Sequence, residues 1–364
     1  MRALVVNPPA PGIHLADLPE PVRGPGEVKV RIVECGVCGT DRDIVLGKYG
    51  RSPAGHDALI LGHENLGVVV ESGPETPGFD PGDLVVATVR RGCGQCRFCF
   101  TNRSDFCESG LFTERGIKGR DGYFCEVYTE RPEYLVKVPG GLRSRAVLLE
   151  PMSVVEKALA EGRSILTRFE PTPGYPLGRP YRALVTGTGA IGILASLLLA
   201  ADGFTVTAVD LHDDTTPAAR LLAAQGVAHV NLRGGIALLG DARFDLIVDA
   251  TGVADLELRL VDYLRPNGVL VLTGIPAADA PPITVPAGRL LRDLVLENQA
   301  VVGSVNANRS YFELGRDHLV QHADRWGPEF DRLIFDRTPL DGYGPVLEQK
   351  GSSIKHVLTF PPAG

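Results

Sequence analysis

Short apolar segments alternate with turn residues through the first part of the chain. Six of these segments are rich in residues that favour strands: Ala3–Val6, Val28–Val33, Leu66–Val70, Leu84–Val89, Tyr123–Tyr128 and Tyr134–Val138. Turns rich in proline and glycine, such as Gly24–Gly26, lie between them. Short apolar runs bounded by proline- and glycine-rich turns are typical of β-strands. The pattern predicts a partly open all-β domain.

A different pattern begins near Tyr181, where apolar strands alternate with helical segments. The predicted strands are Arg182–Thr186, Phe204–Val209, Ala228–Asn231, Asp245–Ala250, Gly268–Thr273 and Ala300–Gly303, and the predicted helices are Ile191–Ala201, Pro217–Gln225 and Leu256–Leu264. Strands separated in this way favour a doubly wound parallel sheet.

Gly141–Gly162 is helical in spacing and places Glu150 near a helix start. We interpret Pro171–Pro180 as a linker or a surface excursion that leads into the nucleotide-binding domain.

The turn after the first of these strands reads Gly187-Thr188-Gly189-Ala190-Ile191-Gly192. Gly187 permits the sharp turn, Gly189 allows a pyrophosphate to approach the backbone, and Gly192 lets the helix pack closely on the strand. The N–H groups at the helix start then face the diphosphate, where the macrodipole favours negative charge. Strand, turn, helix and second strand together predict a dinucleotide site.

Asp210 ends the second strand, where the fingerprint requires an acid that binds the adenine ribose hydroxyls. A carboxylate repels a 2′-phosphate, and the following residues, Leu211 to Asp214, contain no arginine or lysine. The sequence therefore favours NAD over NADP. Arg220 is the residue that could reverse this preference. Ligands of such sheets bind at the carboxyl ends of the strands, so we also expect cofactor contacts from Ala190, Ile191, Thr251, Gly274, Ile275, Gly303, Ser304 and Val305.

Composition excludes several classes of protein. The chain has 364 residues, of which 44% are hydrophobic and 22% charged, with a net charge of −7. These values predict a folded protein of about two domains. Because no segment concentrates lysine and arginine, nucleic acid and anionic membranes are poor candidate partners. No segment resembles a signal peptide or a membrane span, so the default prediction is a cytoplasmic protein.

Seven cysteines are present, and four of them are clustered. Cys93, Cys96, Cys99 and Cys107 provide four thiolates, which is enough to close a tetrahedral shell around Zn²⁺. A closed shell has no position for a substrate, so this zinc would be structural. Unliganded cysteines and an iron–sulfur cluster are the alternatives.

A second candidate metal site is scattered along the chain. Cys38 lies in Cys38-Gly39-Thr40-Asp41, and His63 and Glu64 lie in Gly62-His63-Glu64-Asn65. A thiolate, an imidazole and a carboxylate can bind zinc and leave a position open for water or substrate, as catalysis requires. Taken alone, a histidine such as His63 would more often be a core residue with its hydrogen bonds satisfied.

These motifs together resemble those of the zinc-dependent medium-chain dehydrogenases/reductases. The resemblance rests on the Cys38 element, the run from Gly62 to Gly73, the four-cysteine lobe and the glycine turn, in family order over nearly the whole chain. It implies a GroES-like partly open β-barrel catalytic domain at 1–180, with a structural zinc lobe at about 90–110. It further implies a Rossmann doubly wound parallel sheet at 181–307 and a C-terminal segment, 308–364, that returns to the catalytic domain.

Within the family the chain looks most like the glucose 1-dehydrogenases. The closer similarity rests on Thr113–Ile117, Glu133–Pro139, Glu150–Ser153 with Glu156–Ala158, and Val302–Asn306. By resemblance, one catalytic zinc is surrounded by Cys38, His63, Glu64 and Glu150. The two carboxylates, Glu64 and Glu150, either alternate as zinc ligands or one of them contacts the sugar through a water molecule. Thr40, Glu114, Glu150 and Asn306 then bind sugar hydroxyls, and Thr40 relays a proton. Relatives are dimers or tetramers.

The implied reaction is the oxidation of an aldose, glucose or galactose, at C1 to an aldonolactone. The same parts could oxidise a polyol, a secondary alcohol or a threonine-type amino-alcohol, and a remote alternative is an NADH sensor without catalysis. Two features depart from the relatives. Some relatives carry Arg where this chain has Asp210-Leu211-His212, and Arg289–Arg292 lacks a histidine associated with sugar contact.

Overall fold

The computed structural model describes residues 1–169, 180–277, 279–348 and 354–361, without the side chains of residues 329, 332–335 and 348. Among the described residues, none of the helices combines the length and apolar character needed to cross a membrane. Nearly all of the predicted linker Pro171–Pro180 lies outside the described residues.

Nineteen strands and ten α-helices are formed by the described residues. The strands are β1 (Arg2–Val6), β2 (His14–Asp17), β3 (Val28–Val37), β4 (Leu59–Ile60), β5 (Glu64–Glu71), β6 (Leu84–Ala87), β7 (Arg90–Arg91), β8 (Thr113–Arg115), β9 (Gly119–Arg120), β10 (Val127–Glu130), β11 (Leu135–Lys137), β12 (Arg182–Thr186), β13 (Thr205–Asp210), β14 (Ala228–Asn231), β15 (Phe244–Asp249), β16 (Leu264–Leu272), β17 (Ala300–Gly303), β18 (Phe335–Pro339) and β19 (Lys355–Thr359). The helices are α1 (Gly39–Val45), α2 (Arg97–Phe100), α3 (Leu149–Leu166), α4 (Ala190–Ala201), α5 (Pro217–Ala224), α6 (Ala254–Leu260), α7 (Ala287–Leu296), α8 (Arg309–Gln321), α9 (Ala323–Ile334) and α10 (Tyr343–Glu348).

The chain divides into two compact units. The first comprises Met1–Ser153 and Asn306–Gly364, and the second comprises Val154–Val305. In the first unit a mixed sheet has the strand order β11-β6-β5-β3-β19-β18, and β10 pairs with β3. Two three-stranded sheets, β2-β1-β4 and β7-β8-β9, complete this unit. The C-terminal strand β19 pairs antiparallel with β3, so it lies in the same sheet as the strand that leads to Cys38.

The second unit contains a six-stranded sheet with the order β14-β13-β12-β15-β16-β17. All of its pairings are parallel, which confirms the predicted doubly wound sheet. Its central strands are apolar on both faces because helices cover both, and Leu184, Ile247 and Leu270 are among its buried side chains. Parallel order brings the carboxyl ends of all six strands to one edge of the sheet.

One predicted strand is largely wrong. Tyr123–Tyr128 contributes only its last two residues to β10, which begins at Val127. Tyr123 and Phe124 are fully buried, but their N–H groups donate to Gly62 O and Leu61 O in a turn outside the ladder. Gly122 sits so close to this turn that a Cβ there would lie 2.2 Å from Gly62 O. Tertiary packing against Gly62, which apolar content cannot reveal, therefore overrides the local strand pattern.

Candidate active site

Cys38 lies where β3 ends and α1 begins. It caps α1, because its Sγ accepts a hydrogen bond from Thr40 N at 3.2 Å and its own N–H donates to Asp41 Oδ2 at 2.8 Å. This reciprocal capping box fixes both the sulfur and the Asp41 carboxylate. Thr40 itself is partly exposed in the first turn of α1.

His63 immediately precedes β5 and brings its ring against Cys38. Its Nε2 lies 3.0 Å from Cys38 Sγ, and its Nδ1 lies 3.2 Å from Asp41 Oδ1. Burial opposes the imidazolium, but Cys38 and Asp41 overcome that effect and raise the pKa of His63 well above its usual range. Asp41 thus lies beside Nδ1 and orients the ring, leaving Nε2 directed at the sulfur. Asp41 lies within a sequence motif, but its position beside His63 was not predicted.

Glu64, the first residue of β5, forms a buried ion pair with Lys355 of β19. Lys355 Nζ lies 2.6 Å from each carboxylate oxygen. Gly36 on β3 makes room for this carboxylate, since a Cβ there would lie 2.1 Å from Glu64 Oε2. Burial lowers the pKa of Lys355, but Glu64 and Cys38 outweigh it and raise that pKa, so the ammonium stays charged. No sequence pattern indicated Lys355.

Glu150 lies in the first turn of α3, as predicted, and is buried. Its pKa is raised to about 7, chiefly by burial; His63 and Lys355 oppose this shift, and the Glu64 carboxylate adds to it. Within the described part of the chain, the Glu150 carboxylate accepts no hydrogen bond. Glu150 is thus a buried carboxylate near His63, Glu64 and Lys355 without a partner of its own.

The donor set at this site fits a zinc ion. The ligand atoms of Cys38, His63 and Glu64 all lie within 4.8 Å of one another, and Glu150 lies outside this group. The donors are a thiolate, an imidazole nitrogen and a carboxylate, which zinc prefers. The Glu150 carboxylate, which accepts no hydrogen bond from the described residues, is available as a further zinc ligand. The charge of Glu64, in contrast, is already neutralised by Lys355.

The four clustered cysteines fit a second zinc. They lie around the short helix α2, and their sulfurs are within 4.8 Å of one another. Separations of 3.8 Å for Cys93–Cys99, 3.5 Å for Cys96–Cys99 and 4.0 Å for Cys96–Cys107 match the ~3.8 Å edge of a tetrahedron with Zn–S bonds of about 2.3 Å. A Cys₄ set of this geometry is closed to substrate.

The predicted sugar-binding residues Glu114 and Asn306 contact each other, although they lie far apart in sequence. Asn306 Nδ2 donates to Glu114 Oε1 at 2.7 Å. Arg90 also donates to Oε1, from Nε at 3.1 Å and Nη2 at 2.9 Å, so three donors fix one oxygen. Glu114 Oε2 accepts no hydrogen bond from the described residues. None of the hydrogen bonds in that part of the chain joins this pair to Thr40, and Arg90 was not predicted.

The glycine turn joins β12 to α4, which begins at Ala190. Gly187 has a φ of +88°, and a Cβ at Gly192 would lie 1.8 Å from Gly187 O. Nothing lies within 4 Å of a Cβ at Gly189, so that face of the turn is open. The structure therefore separates two glycines that the fold requires from one that leaves space for a ligand.

Asp210 ends β13 beside this turn. Its Oδ2 accepts from Thr188 N at 2.6 Å and Thr188 Oγ1 at 2.7 Å, and its Oδ1 accepts from Leu211 N at 2.6 Å. Burial raises the pKa of Asp210, but the bonds from Thr188 and Leu211 exceed that effect and lower it, so the carboxylate is ionised. His212 Nδ1 lies 2.5 Å from Oδ1.

The other predicted cofactor residues follow the carboxyl ends of their strands. Thr251 follows β15 and donates from Oγ1 to Asp249 Oδ1 at 2.7 Å. Gly274 follows β16 and packs so closely that a Cβ there would lie 2.0 Å from Gly252 N. Ile275 comes next, and Gly303, Ser304 and Val305 end and follow β17. The parallel sheet thus carries all of these residues at one edge.

Two family models match consecutive parts of the chain. The glucose dehydrogenase C-terminus model matches residues 143–360, and the alcohol dehydrogenase GroES-like domain model matches residues 24–140. Among curated relatives, a glucose 1-dehydrogenase from Methanocella arvoryzae is 40% identical over 360 residues, covering 98% of each chain. A glucose 1-dehydrogenase from Thermoproteus tenax is 39% identical over 98% of this chain and 99% of its own.

Solved structures show the same similarity. A glucose dehydrogenase from Haloferax mediterranei, described as a complex with NADP, Zn and gluconolactone, superposes with a TM-score of 0.88 at 30% identity over the whole of both chains. Galactitol-1-phosphate dehydrogenase from Escherichia coli shares the fold at 19% identity, with a TM-score of 0.78 over 99% of this chain and all of its own. The chain therefore belongs to the zinc-dependent medium-chain dehydrogenase/reductase family, with a GroES-like domain and a Rossmann domain, among the members similar to glucose 1-dehydrogenases.

Proposed function

We propose that this enzyme oxidises an aldose, glucose or galactose, at C1 to the aldonolactone and reduces NAD in preference to NADP. The observation that carries the proposal is the convergence of Cys38, His63 and Glu64 in one unit, in a chain similar to glucose 1-dehydrogenases over nearly its full length. The relative from Haloferax mediterranei, described with gluconolactone, supports a lactone as product.

Cys38 and His63 hold the catalytic zinc in this proposal, together with Glu64 or Glu150. Asp41 Oδ1 lies 3.2 Å from His63 Nδ1 and so orients the ring with Nε2 available as a ligand. Lys355 already neutralises Glu64, so Glu150 is the carboxylate that meets the least competition as a ligand. The four-cysteine lobe holds a second, structural zinc.

A zinc held by these residues would supply Lewis-acid polarisation of the C1 hydroxyl, and a bound nicotinamide would supply the hydride acceptor. The side chains of the protein orient the sugar and carry its proton away. Thr40, partly exposed two residues after Cys38, passes the hydroxyl proton toward solvent. Glu114 offers Oε2 to a sugar hydroxyl because Arg90 and Asn306 already occupy Oε1.

The preference for NAD rests on Asp210. Its ionised carboxylate lies beside the glycine turn, where a 2′-phosphate would meet like charge. Arg220 is exposed on α5 and forms no side-chain hydrogen bond within the described chain. Arg233, which the sequence did not single out, donates from Nε to Leu211 O at 2.7 Å and so lies beside the same loop. The kcat/KM for NAD divided by that for NADP measures the preference. A value below one would mean that the enzyme prefers NADP and would contradict the proposal.

We also propose that the chain forms a homo-oligomer, a dimer or tetramer. β17 is the last strand of its sheet, and Val301 on this strand is 43% exposed. Helix α7 adds exposed Leu291, Val295 and Leu296 within the same unit. An exposed edge strand with apolar neighbours favours pairing with a second copy.

The sugar assignment is tested with Glu114→Gln. This variant keeps the side-chain shape but removes the charge that binds sugar hydroxyls, so KM for glucose should rise about 10-fold or more, since hydrogen bonds to charged groups contribute ~1.5–3 kcal/mol. Turnover of 2-butanol, which has no further hydroxyls, should change little. Exposed Glu133→Gln is the matched control. Equal effects on glucose and 2-butanol, or efficient turnover of sorbitol or butanol without any aldose activity, would instead assign a polyol or secondary-alcohol dehydrogenase.

A further inference from the structure

Three arginines, of which Arg91 and Arg115 are buried and Arg120 is partly exposed, lie together beside the parallel strand pair β8–β9. The Glu130 carboxylate accepts from Arg91 Nη2 at 2.5 Å and from Arg115 Nη2 at 2.8 Å, and Arg120 Nη2 approaches its other oxygen at 3.7 Å. Asp121 is the second carboxylate here, and its Oδ1 accepts from Ile60 N. Three guanidinium groups thus surround the Glu130 carboxylate. With the nearby Asp121 carboxylate counted as well, the cluster carries one excess positive charge.

Arg120 differs from the other two arginines in its hydrogen bonds. Arg115 donates to Asp121 O and Thr129 O in addition to Glu130, and Arg91 donates to Thr88. The Arg120 guanidinium, in contrast, donates no hydrogen bond to any described residue, and its Nε is buried without a partner. Burial and then repulsion from Arg115 and Arg91 lower the pKa of Arg120. An anion would relieve both unfavourable effects.

A cavity of about 360 Å³ opens beside this group. Arg115 and Arg120 line it together with Asp121, the small residues Gly119 and Gly122, and Tyr128. A side chain at Gly119 would also approach Arg51, since a Cβ there would lie 3.5 Å from Arg51 Nη2. Space, unused donors and excess positive charge therefore coincide at one place that none of the proposed catalytic residues occupies.

We propose that this cavity is an anion site that binds a phosphate group against Arg120 and Arg115. A planar guanidinium with free N–H groups binds phosphate oxygens through paired hydrogen bonds, which suits Arg120 better than a surface lysine. The volume accommodates inorganic phosphate or the phosphate end of a small ester. The proposal does not depend on the substrate of the enzyme.

The wall of the cavity leads to the candidate zinc site. Gly122 N donates to Ile60 O at 2.7 Å, and Tyr123 N donates to Gly62 O at 2.9 Å, immediately before His63. Gly116 packs on the same residue, because a Cβ there would lie 2.2 Å from Gly62 O. A bound anion therefore stabilises the β8–β9 segment on which the residues preceding His63 rest.

Thermal unfolding of the zinc-loaded enzyme with saturating NAD tests the site, because NAD then occupies the glycine turn. Inorganic phosphate is titrated against chloride at constant ionic strength, with glycerol 2-phosphate as a parallel series. The wild type should show a saturable rise in Tm, about 3 °C at ten times Kd. Arg120→Gln should abolish the saturable rise, and Arg143→Gln, at an exposed arginine elsewhere in the same unit, should retain it. Tighter binding of glycerol 2-phosphate would identify an ester as the ligand, and equal binding would identify the free ion.

Arg120→Lys keeps the charge but loses the paired donors, so it should respond to phosphate with at least about tenfold weaker affinity. It also keeps the test valid if the glutamine variant is unstable. The same saturable response in wild type, Arg120→Gln and Arg120→Lys, or no saturable response in wild type, would overturn the proposal.

Discussion

Cys35 and Cys38 are three positions apart, yet their thiols have different surroundings. Cys35 is fully buried within β3, and burial raises the pKa of its thiol well above the usual range. Cys38 is half-buried, caps α1 and lies against His63 Nε2. A thiolate is the form that binds metal, so only Cys38 is arranged as a ligand.

Cys38→Ser should therefore remove one zinc per chain and lower kcat by about 100-fold or more, because the loss of Lewis-acid stabilisation removes several kcal/mol from the transition state. NAD affinity should be almost unchanged. Cys35→Ala is the matched control and should keep both zinc ions and most of its activity. Metal analysis, initial rates and NAD titration measure the three quantities. Full activity of a Cys38→Ser protein with reduced zinc would contradict the assignment.

Motif spacing predicted the residues whose chemistry is tied to local sequence. Cys38, His63 and the four clustered cysteines belong to short motifs, and the structure brings each set together. Lys355 and Arg90 could not be predicted, because a single charged residue has no spacing and finds its partner only through the fold. Asp41 lay within a motif, but its contact with His63 depends on the start of α1.

The glycine turn shows what one element requires of its residues. Gly192 faces Gly187 O so closely that any side chain must displace the backbone, whereas Gly189 faces open space. Both glycines were predicted from one motif, with separate roles in packing and in ligand approach. The structure supplies the distances on which this difference depends.

Gly192→Ala should lower the free energy of unfolding by about 3 kcal/mol, since overpacking against backbone cannot be relieved by a rotamer change. Gly189→Ala should change stability by less than about 0.5 kcal/mol but should weaken NAD binding about tenfold or more, which corresponds to ~1.4 kcal/mol. Urea unfolding and calorimetric NAD titration measure the two effects. If the two variants lost stability equally, the separate roles would be wrong.

At the scale of the whole molecule, the sequence predicted the β-rich unit and the parallel sheet but not every strand within them. The six parallel strands were predicted because each is a short apolar run between helical segments. The strands of the β-rich unit were harder to predict, because many of them are short. Their order in the sheet also depends on pairings between segments distant in sequence, such as β3 with β19. Long-range pairing has no local signal, which is also why Tyr123–Tyr128 was assigned wrongly.

Oligomer formation through the edge strand is a prediction at this scale. Val301→Lys places a charge on β17 and should block strand pairing with a second copy, so the molar mass in solution should fall to that of the monomer. Leu238→Lys, at another exposed apolar residue of the same unit, should leave the mass unchanged. Light scattering coupled to size exclusion gives the masses. A monomeric wild type, or an unchanged mass for Val301→Lys, would exclude this interface.

The measurement that tests the central claim most directly is initial NADH and NADPH formation by purified protein with glucose, galactose, xylose, sorbitol and 2-butanol. Each substrate is assayed before and after treatment with a zinc chelator, and again after zinc is restored. We predict turnover of an aldose with NAD that the chelator abolishes and zinc restores. Aldose oxidation that survives complete loss of zinc, or oxidation of sorbitol or 2-butanol without any aldose, would contradict it.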